Sequence, residues 1–151
     1  MRLIELHSMH PGFPFIDPQD IPKIKFLYHG STATPNIILH QGLKTRETQS
    51  LSKLSRDSTW QNSIYLALRP KAVEWYGPYV YSIDFAKLDK NLLSEDEDAC
   101  GHSYEDCAYT WEGSLQIMGT CRYRGNIPPS LITYYGPGSD KNMRTKMKGG
   151  Q

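Results

Sequence analysis

The chain has little of three features that mark specialised classes of protein. Its 151 residues include only three cysteines, Cys100, Cys107 and Cys121, too few and odd in number for a disulfide framework. No run approaches the about 20 apolar residues that a membrane span needs, and the first residues lack the apolar core of a signal peptide. The formal net charge of +1 provides no broad field for nucleic acid or an anionic membrane. We therefore expect a soluble, cytoplasmic protein without a membrane partner.

Length and composition predict one domain with a single modest core, since 38% of the residues are hydrophobic. Four prolines interrupt residues 1–22, which we expect to form an extended lead-in. The domain itself is expected over residues 23–136. Residues 137–151 combine basic residues with Gly, Ser and Asn and predict a disordered basic tail.

Alternation of apolar and polar residues predicts strands over residues 24–29, 63–68, 79–85 and 131–135. Proline at the start and glycine at the end predict short helices over residues 35–41 and 70–76. The polar segment 44–61 is expected to be an irregular loop, and the acidic segment 86–110 a solvated excursion. Together these elements predict an α+β fold.

Four motifs follow one another in a set order: Tyr-His-Gly-Ser-Thr at 28–32, a segment ending in Gly-Leu at 38–43, Ile-Tyr-Leu at 64–66 and Gly-Asn-Ile-Pro-Pro at 125–129. In this order they resemble the ADP-ribosyltransferase superfamily over residues 24–135. The resemblance implies a split-sheet α+β fold, in which two small antiparallel sheets with short flanking helices surround a cleft that binds NAD as a substrate.

The same resemblance implies which residues bind NAD. His29 matches the histidine that hydrogen-bonds the adenosine ribose, and Tyr65 matches the tyrosine on which nicotinamide stacks. The turn at Gly30 and Ser31 suits the diphosphate, and Tyr76 could wall the pocket. Taken alone, a strand histidine is more often structural, and Tyr65 is as typical of a core as of a stacking platform. Trp75 and Tyr76, at helical spacing, are more often core residues than pocket walls.

The catalytic carboxylate of the superfamily has no single match in this sequence. Counting back from 127–129 leads to residues 116–120, which contain no acid, whereas Glu112 lies a few residues earlier. Three possibilities stay open: Glu112 is the catalytic group, Gln116 replaces it, or the chain resembles relatives that dispense with the carboxylate. Arg46 could pair with a phosphate of NAD or of the acceptor, although a solvated arginine is the commoner case.

The resemblance implies an enzyme that transfers ADP-ribose from NAD to a protein or nucleic-acid acceptor and releases nicotinamide. By analogy, the small size suggests a toxin or phage effector. One alternative is an NAD-dependent RNA 2′-phosphotransferase, which needs basic residues such as Arg46, Arg69, Arg122 and Arg124 around the pocket. Another is a non-catalytic module that binds NAD or a partner. The sequence does not indicate an oligomeric state.

No metal site is expected. Cys100, His102 and Cys107 include residue types that bind zinc, but their spacing fits no usual zinc motif and no fourth ligand is evident. The acidic run 95–98 lacks the glycine and the spaced oxygen ligands of a calcium loop, so a solvated face is expected there.

Overall fold

The structure is a computed structural model, and it describes residues 15–45, 63–100 and 109–136. The described residues form one antiparallel sheet of six strands, in the spatial order β4-β5-β2-β1-β3-β6. In chain order the strands are β1 (Phe26–Ser31), β2 (Ile64–Ala67), β3 (Tyr79–Asp84), β4 (Leu93–Ser94), β5 (Thr120–Tyr123) and β6 (Ile132–Tyr134).

The two halves of the sheet meet along a very short ladder. β1 pairs with β3 over six registered residues, from Phe26 opposite Asp84 to Ser31 opposite Tyr79. Between β1 and β2, by contrast, the only registered pair in the described part of the chain is Tyr28 with Ala67. The two strands therefore separate towards the end of β1 and the beginning of β2. Space opens in the sheet at that point.

Within the described ranges, two α-helices pack against the sheet: α1 (Pro35–Gln41) and α2 (Trp111–Met118). Proline opens α1 because its missing N–H would have no partner in the first turn, and Gly42 ends it at φ 83°, a conformation that glycine adopts without strain. In α2, the Thr110 hydroxyl accepts a hydrogen bond from the Gly113 N–H at 3.1 Å.

The described part of the chain also contains short 3₁₀ helices, at Pro18–Lys23, Pro70–Tyr76, Phe85–Lys87, Lys90–Leu92, Glu97–Cys100 and Pro129–Leu131. The one at Pro70–Tyr76 lies directly on β1. A Cβ atom built on Gly30 would come within 2.0 Å of the Val73 carbonyl oxygen, so only glycine permits this approach. The 3₁₀ helix at Pro70–Tyr76 is therefore held against the end of β1.

The principal core lies between the sheet and the two helices. Strands and helices from the whole length of the domain contribute to it, and its members include Leu27, Ile38, Leu66, Tyr81, Ile83, Leu115, Cys121, Ile127, Ile132 and Tyr134. A smaller cluster of Ala67, Val73 and Val80 lies under the 3₁₀ helix at Pro70–Tyr76.

The prediction of a mixed helix and sheet fold is confirmed, and β1, β2, β3, β6 and α1 lie close to the expected positions. Residues 70–76 form a 3₁₀ helix where a short helix was expected. Helix α2 and strands β4 and β5 were not predicted, and β4 shows that the segment 86–110 is not a solvated excursion throughout. The prediction of two small sheets is wrong, because Tyr28 and Ala67 join the halves into one sheet. The lead-in is also not extended throughout, since Pro18–Lys23 is a 3₁₀ helix whose Ile21 is buried. Residues 1–14 and 137–151 lie outside the described part of the chain.

None of the helices in the described ranges has the length and apolar character required to cross a bilayer.

Candidate functional site

A cavity of about 740 Å³ lies where β1 and β2 separate. Residues of both strands, α1 and the loop that follows it, and two 3₁₀ helices form its walls: His29, Gly30, Ser31, Thr32, Ala33, Ile37, Ile38, Gln41, Gly42, Leu43, Lys44, Ser63, Ile64, Tyr65, Tyr76 and Glu97. This volume is within the range of about 300–1,000 Å³ typical of small-molecule sites. The lining combines apolar surface with a few polar groups, as such sites require.

His29 bridges the gap between the separating strands. Its Nδ1 lies 2.8 Å from the carbonyl oxygen of Tyr65, and because a carbonyl only accepts, Nδ1 carries the proton. Burial lowers the pKa of His29 below its ordinary value of 6.5, against the opposing effect of this hydrogen bond. The ring is therefore neutral at neutral pH. Its Nε2 is therefore unprotonated and can accept a hydrogen bond, and His29 is one of the residues that line the cavity.

Tyr65, Tyr76 and Glu97 form a connected group on another wall. The Tyr65 hydroxyl donates a short hydrogen bond to Oε1 of Glu97. The Tyr65 and Tyr76 rings are nearly parallel, with an interplanar angle of 15° and centroids 6.4 Å apart. Burial and the Glu97 carboxylate raise the pKa of the Tyr65 phenol, which stays protonated and continues to donate.

Tyr76 lies at the edge of the cavity and is 42% exposed. The neighbouring Trp75, which is 76% exposed, stacks on it with ring centroids 3.9 Å apart. Burial raises the pKa of the Tyr76 phenol, and the charges of Asp96, Asp98 and Glu97 add to this effect. The expectation that these two aromatic residues belong to the core is wrong, because the 3₁₀ geometry presents them at the surface beside the cavity.

The structure brings five of the sequence-predicted binding residues to this cavity: His29, Gly30, Ser31, Tyr65 and Tyr76. Ser31 still belongs to β1, and its hydroxyl accepts a hydrogen bond from the Ala33 N–H at 3.0 Å. The sixth predicted residue, Arg46, lies outside the described residues.

The two predicted catalytic residues are placed elsewhere. Glu112 and Gln116 lie in α2, and neither lines the cavity. The Gln116 carbonyl oxygen accepts a hydrogen bond from the Phe15 N–H at 2.9 Å, so the lead-in packs against this helix. The number of residues that separate Glu112 and Gln116 from residues 127–129 suggested that they lie on a strand near the substrate. Residues 111–118 instead form a helix, and β5 begins only at Thr120.

The carboxylate that does line the cavity, Glu97, was missed in the sequence. Residues 95–98 were expected to be a solvated face, and this is wrong for Asp96, which is 6% exposed. One signal was available: Leu92 and Leu93 lie one residue before the acidic run, and an apolar pair there indicates a strand end that anchors the run to the sheet. β4 does end at Ser94, and its partner is Arg122 of β5.

Positive charge reaches the cavity wall at Lys44. Arg69, Arg122 and Arg124 are not among the lining residues. Arg122 is buried, with its Nε donating to the Glu95 carbonyl oxygen at 2.7 Å. Arg124 donates to the Asn91 carbonyl oxygen at 3.2 Å. Arg122 and Arg124 therefore support the protein chain around the site, and none of the three arginines lines the cavity.

In the described ranges, no group of three or more His, Cys, Asp or Glu side chains is arranged to hold a metal ion. The candidate zinc set of Cys100, His102 and Cys107 lies outside the described side chains.

Comparison of the chain with protein-family models, curated proteins and solved structures finds no match.

Proposed function

We propose that the chain binds NAD in this cavity and transfers ADP-ribose to a macromolecular acceptor, protein or nucleic acid, with release of nicotinamide. The observation that supports this proposal most directly is the convergence of His29, Tyr65 and Glu97 on one cavity, although the three are distant in sequence. An acceptor imidazole, a stacking ring and a carboxylate are the groups this reaction needs.

Each group has a distinct part in binding. The neutral Nε2 of His29 accepts a hydrogen bond from a ribose hydroxyl of NAD, while Nδ1 holds the ring on the Tyr65 carbonyl. The Tyr65 ring offers a flat face for the nicotinamide, and the nearly parallel Tyr76 ring forms a second aromatic wall. Lys44 supplies charge of the sign that a diphosphate requires.

Glu97 serves the chemical step. As the bond between nicotinamide and the ribose C1′ breaks, its electron pair moves to the nicotinamide nitrogen and positive charge develops on the ribose. A nearby carboxylate stabilises that charge more than it stabilises the ground state. A nucleophilic atom of the acceptor then bonds to C1′ and loses its proton. The hydrogen bond from Tyr65 holds the carboxylate beside the ring on which nicotinamide stacks.

The alternative of RNA 2′-phosphate removal receives no support from the described residues. That reaction needs several basic side chains around the substrate phosphate, and Arg69, Arg122 and Arg124 do not line the cavity. The reaction also proceeds without a carboxylate, whereas Glu97 lines this cavity. A non-catalytic NAD-binding module differs from the proposal only in turnover, so the same experiment separates them.

The test measures nicotinamide release and transfer of labelled ADP-ribose with the full-length chain. Glu97→Gln keeps the shape of the side chain and removes its charge, and we expect turnover to fall about 100-fold, the lower end of the range for loss of one electrostatic group in an active site. Glu112→Gln is the matched control, because Glu112 does not line the cavity; it should retain wild-type turnover.

Two results would contradict the proposal. The first is a wild-type protein that neither releases nicotinamide nor modifies any component of a cell lysate. The second is the reverse order of the variants, with Glu112→Gln inactive and Glu97→Gln unaffected. NAD binding by calorimetry without turnover would instead identify a binding module.

A further inference from the structure

The position of Glu97 depends on the residues that hold the short segment around it. Glu97 is exposed and begins a 3₁₀ helix of four residues, which Glu95 and Asp96 separate from the two-residue strand β4. An element this short has little stability of its own. Something else must therefore keep its first side chain beside Tyr65.

Asp96 makes the contacts that do this. Its carboxylate accepts a hydrogen bond from the Asp98 N–H at Oδ1 and one from the Thr120 hydroxyl at Oδ2, each at 2.9 Å. Its own N–H donates to the Ser114 hydroxyl at 2.9 Å, and its carbonyl oxygen accepts from the Ala99 N–H at 3.0 Å. Asp96 thus caps the turn that carries Glu97 and also anchors it to the rest of the fold.

The anchor leads back to the strand that carries Tyr65. Ser114 in α2 is fully buried, and its hydroxyl donates to the Thr120 carbonyl oxygen at 2.8 Å. Thr120 begins β5 and is registered with Ala67 of β2, while Arg122 of the same strand is registered with Tyr65. Glu97 and Tyr65 are therefore held in relation to one pair of strands.

We propose that Asp96 is a positioning residue that holds the Glu97 carboxylate against Tyr65 and so sets the rate of the transfer reaction. This inference rests on the proposed function. Asp96 does not line the cavity, so it acts through Glu97 and not by touching NAD. A substitution of Asp96 should therefore change turnover, whereas NAD affinity depends on His29, Tyr65 and Tyr76.

The experiment compares two substitutions of Asp96. Asp96→Ala removes both side-chain acceptors, and we expect a fall of about tenfold or more in kcat for nicotinamide release with an almost unchanged KM for NAD. Asp96→Asn keeps an oxygen for the Asp98 N–H, and its amide can donate to the Thr120 hydroxyl oxygen. Rescue of kcat to near the wild-type value by Asp96→Asn is therefore expected. A merely structural role would not give this pattern in kcat alone.

Thr120→Val provides a second variant in case Asp96→Ala fails to fold. It removes only the hydroxyl that binds Oδ2, so we expect a smaller fall in kcat and the same KM. The inference is overturned if Thr120→Val and Asp96→Ala, where folded, leave kcat unchanged. It is also overturned if Asp96→Asn is as slow as Asp96→Ala, because the effect would then come from charge and not from position.

A second readout does not need turnover. Burial and the charges of Glu97 and Asp96 raise the pKa of the Tyr65 phenol, so a substitution that removes the Asp96 charge would lower this pKa even if Glu97 did not move. Thr120→Val keeps both charges and removes only the hydroxyl that donates to Asp96. Because a weakened anchor lets Glu97 move away, NMR titration of tyrosine labelled at Cζ should show a lower Tyr65 pKa in Thr120→Val than in the wild type. If the wild type does not consume NAD but this shift occurs, the proposed function fails while the positioning of Glu97 by Asp96 stands; an unchanged Tyr65 pKa in folded Thr120→Val counts against the positioning itself.

Discussion

Replacement of Tyr65 by phenylalanine separates the two parts that this residue has in the proposed reaction. Tyr65→Phe keeps the ring that stacks near Tyr76, with centroids 6.4 Å apart, and removes the hydroxyl that donates to Glu97. Stacking of nicotinamide should survive. The carboxylate loses the donor that fixes its position next to the breaking bond.

The size of the effect follows from the type of hydrogen bond that is lost. Bonds to charged groups contribute about 1.5–3 kcal/mol, and we take the lower end because Glu97 is exposed and Tyr65 only partly buried. About 1.4 kcal/mol in the activation free energy corresponds to a tenfold change in rate. We therefore expect kcat to fall about tenfold, with KM for NAD nearly constant.

The assay is steady-state release of nicotinamide at several NAD concentrations, with Tyr76→Phe as the matched control. That variant also removes a phenol hydroxyl from the cavity wall, but Glu97 is bonded to Tyr65, so its kcat should resemble the wild-type value. A rise in KM at constant kcat for Tyr65→Phe would refute the reasoning, because the hydroxyl would then bind substrate and not position the carboxylate.

Two further predictions concern the stability of the fold around the cavity. Burial lowers the pKa of His29 in the folded chain, so below about pH 6.5 the unfolded chain binds a proton that the folded chain does not, and the free energy of unfolding falls as the pH falls. Urea unfolding at several pH values should show that this free energy falls more steeply for the wild type than for His29→Gln. Parallel pH profiles of the two proteins would contradict the prediction. Gly30→Ala should lower the free energy of unfolding by about 1–3 kcal/mol or more, since its Cβ would meet the Val73 backbone, whereas Gly125→Ala meets only the end of the flexible Leu92 side chain; equal costs would contradict the close approach.

Local chemistry explains how much of the fold the sequence predicts. Helix α1 begins at Pro35 and ends before Gly42 as expected, because proline and glycine act through their own backbone geometry. β3 was expected from the alternation of Tyr79, Tyr81 and Ile83, and it occupies the predicted place. Such signals depend only on residues close together in the sequence, so they can be recognised without knowledge of the fold.

His29 and Tyr65 were predicted as binding residues from motifs that resemble a known superfamily, and residue alternation predicts the strand that carries each of them. The structure places both in one cavity. For the acidic residue, Leu92 and Leu93 indicate a strand end nearby but do not show which carboxylate reaches the cavity. The Glu97 side chain reaches the cavity only because Ser94 pairs with Arg122 and Asp96 is bonded to Thr120, both contacts between distant parts of the chain.

The sequence by itself determined strands β1, β2, β3 and β6, helix α1 and the side chains that β1 and β2 can present, since these follow from residue spacing over a few positions. The tertiary structure alone decided that β1 and β2 share one registered pair and then separate, which creates the cavity. It also decided that Glu97, and not Glu112, is the carboxylate in its wall. Strand pairing and buried hydrogen bonds depend on partners far along the chain. A pattern of neighbouring residues therefore does not show which of several acidic residues reaches the cavity.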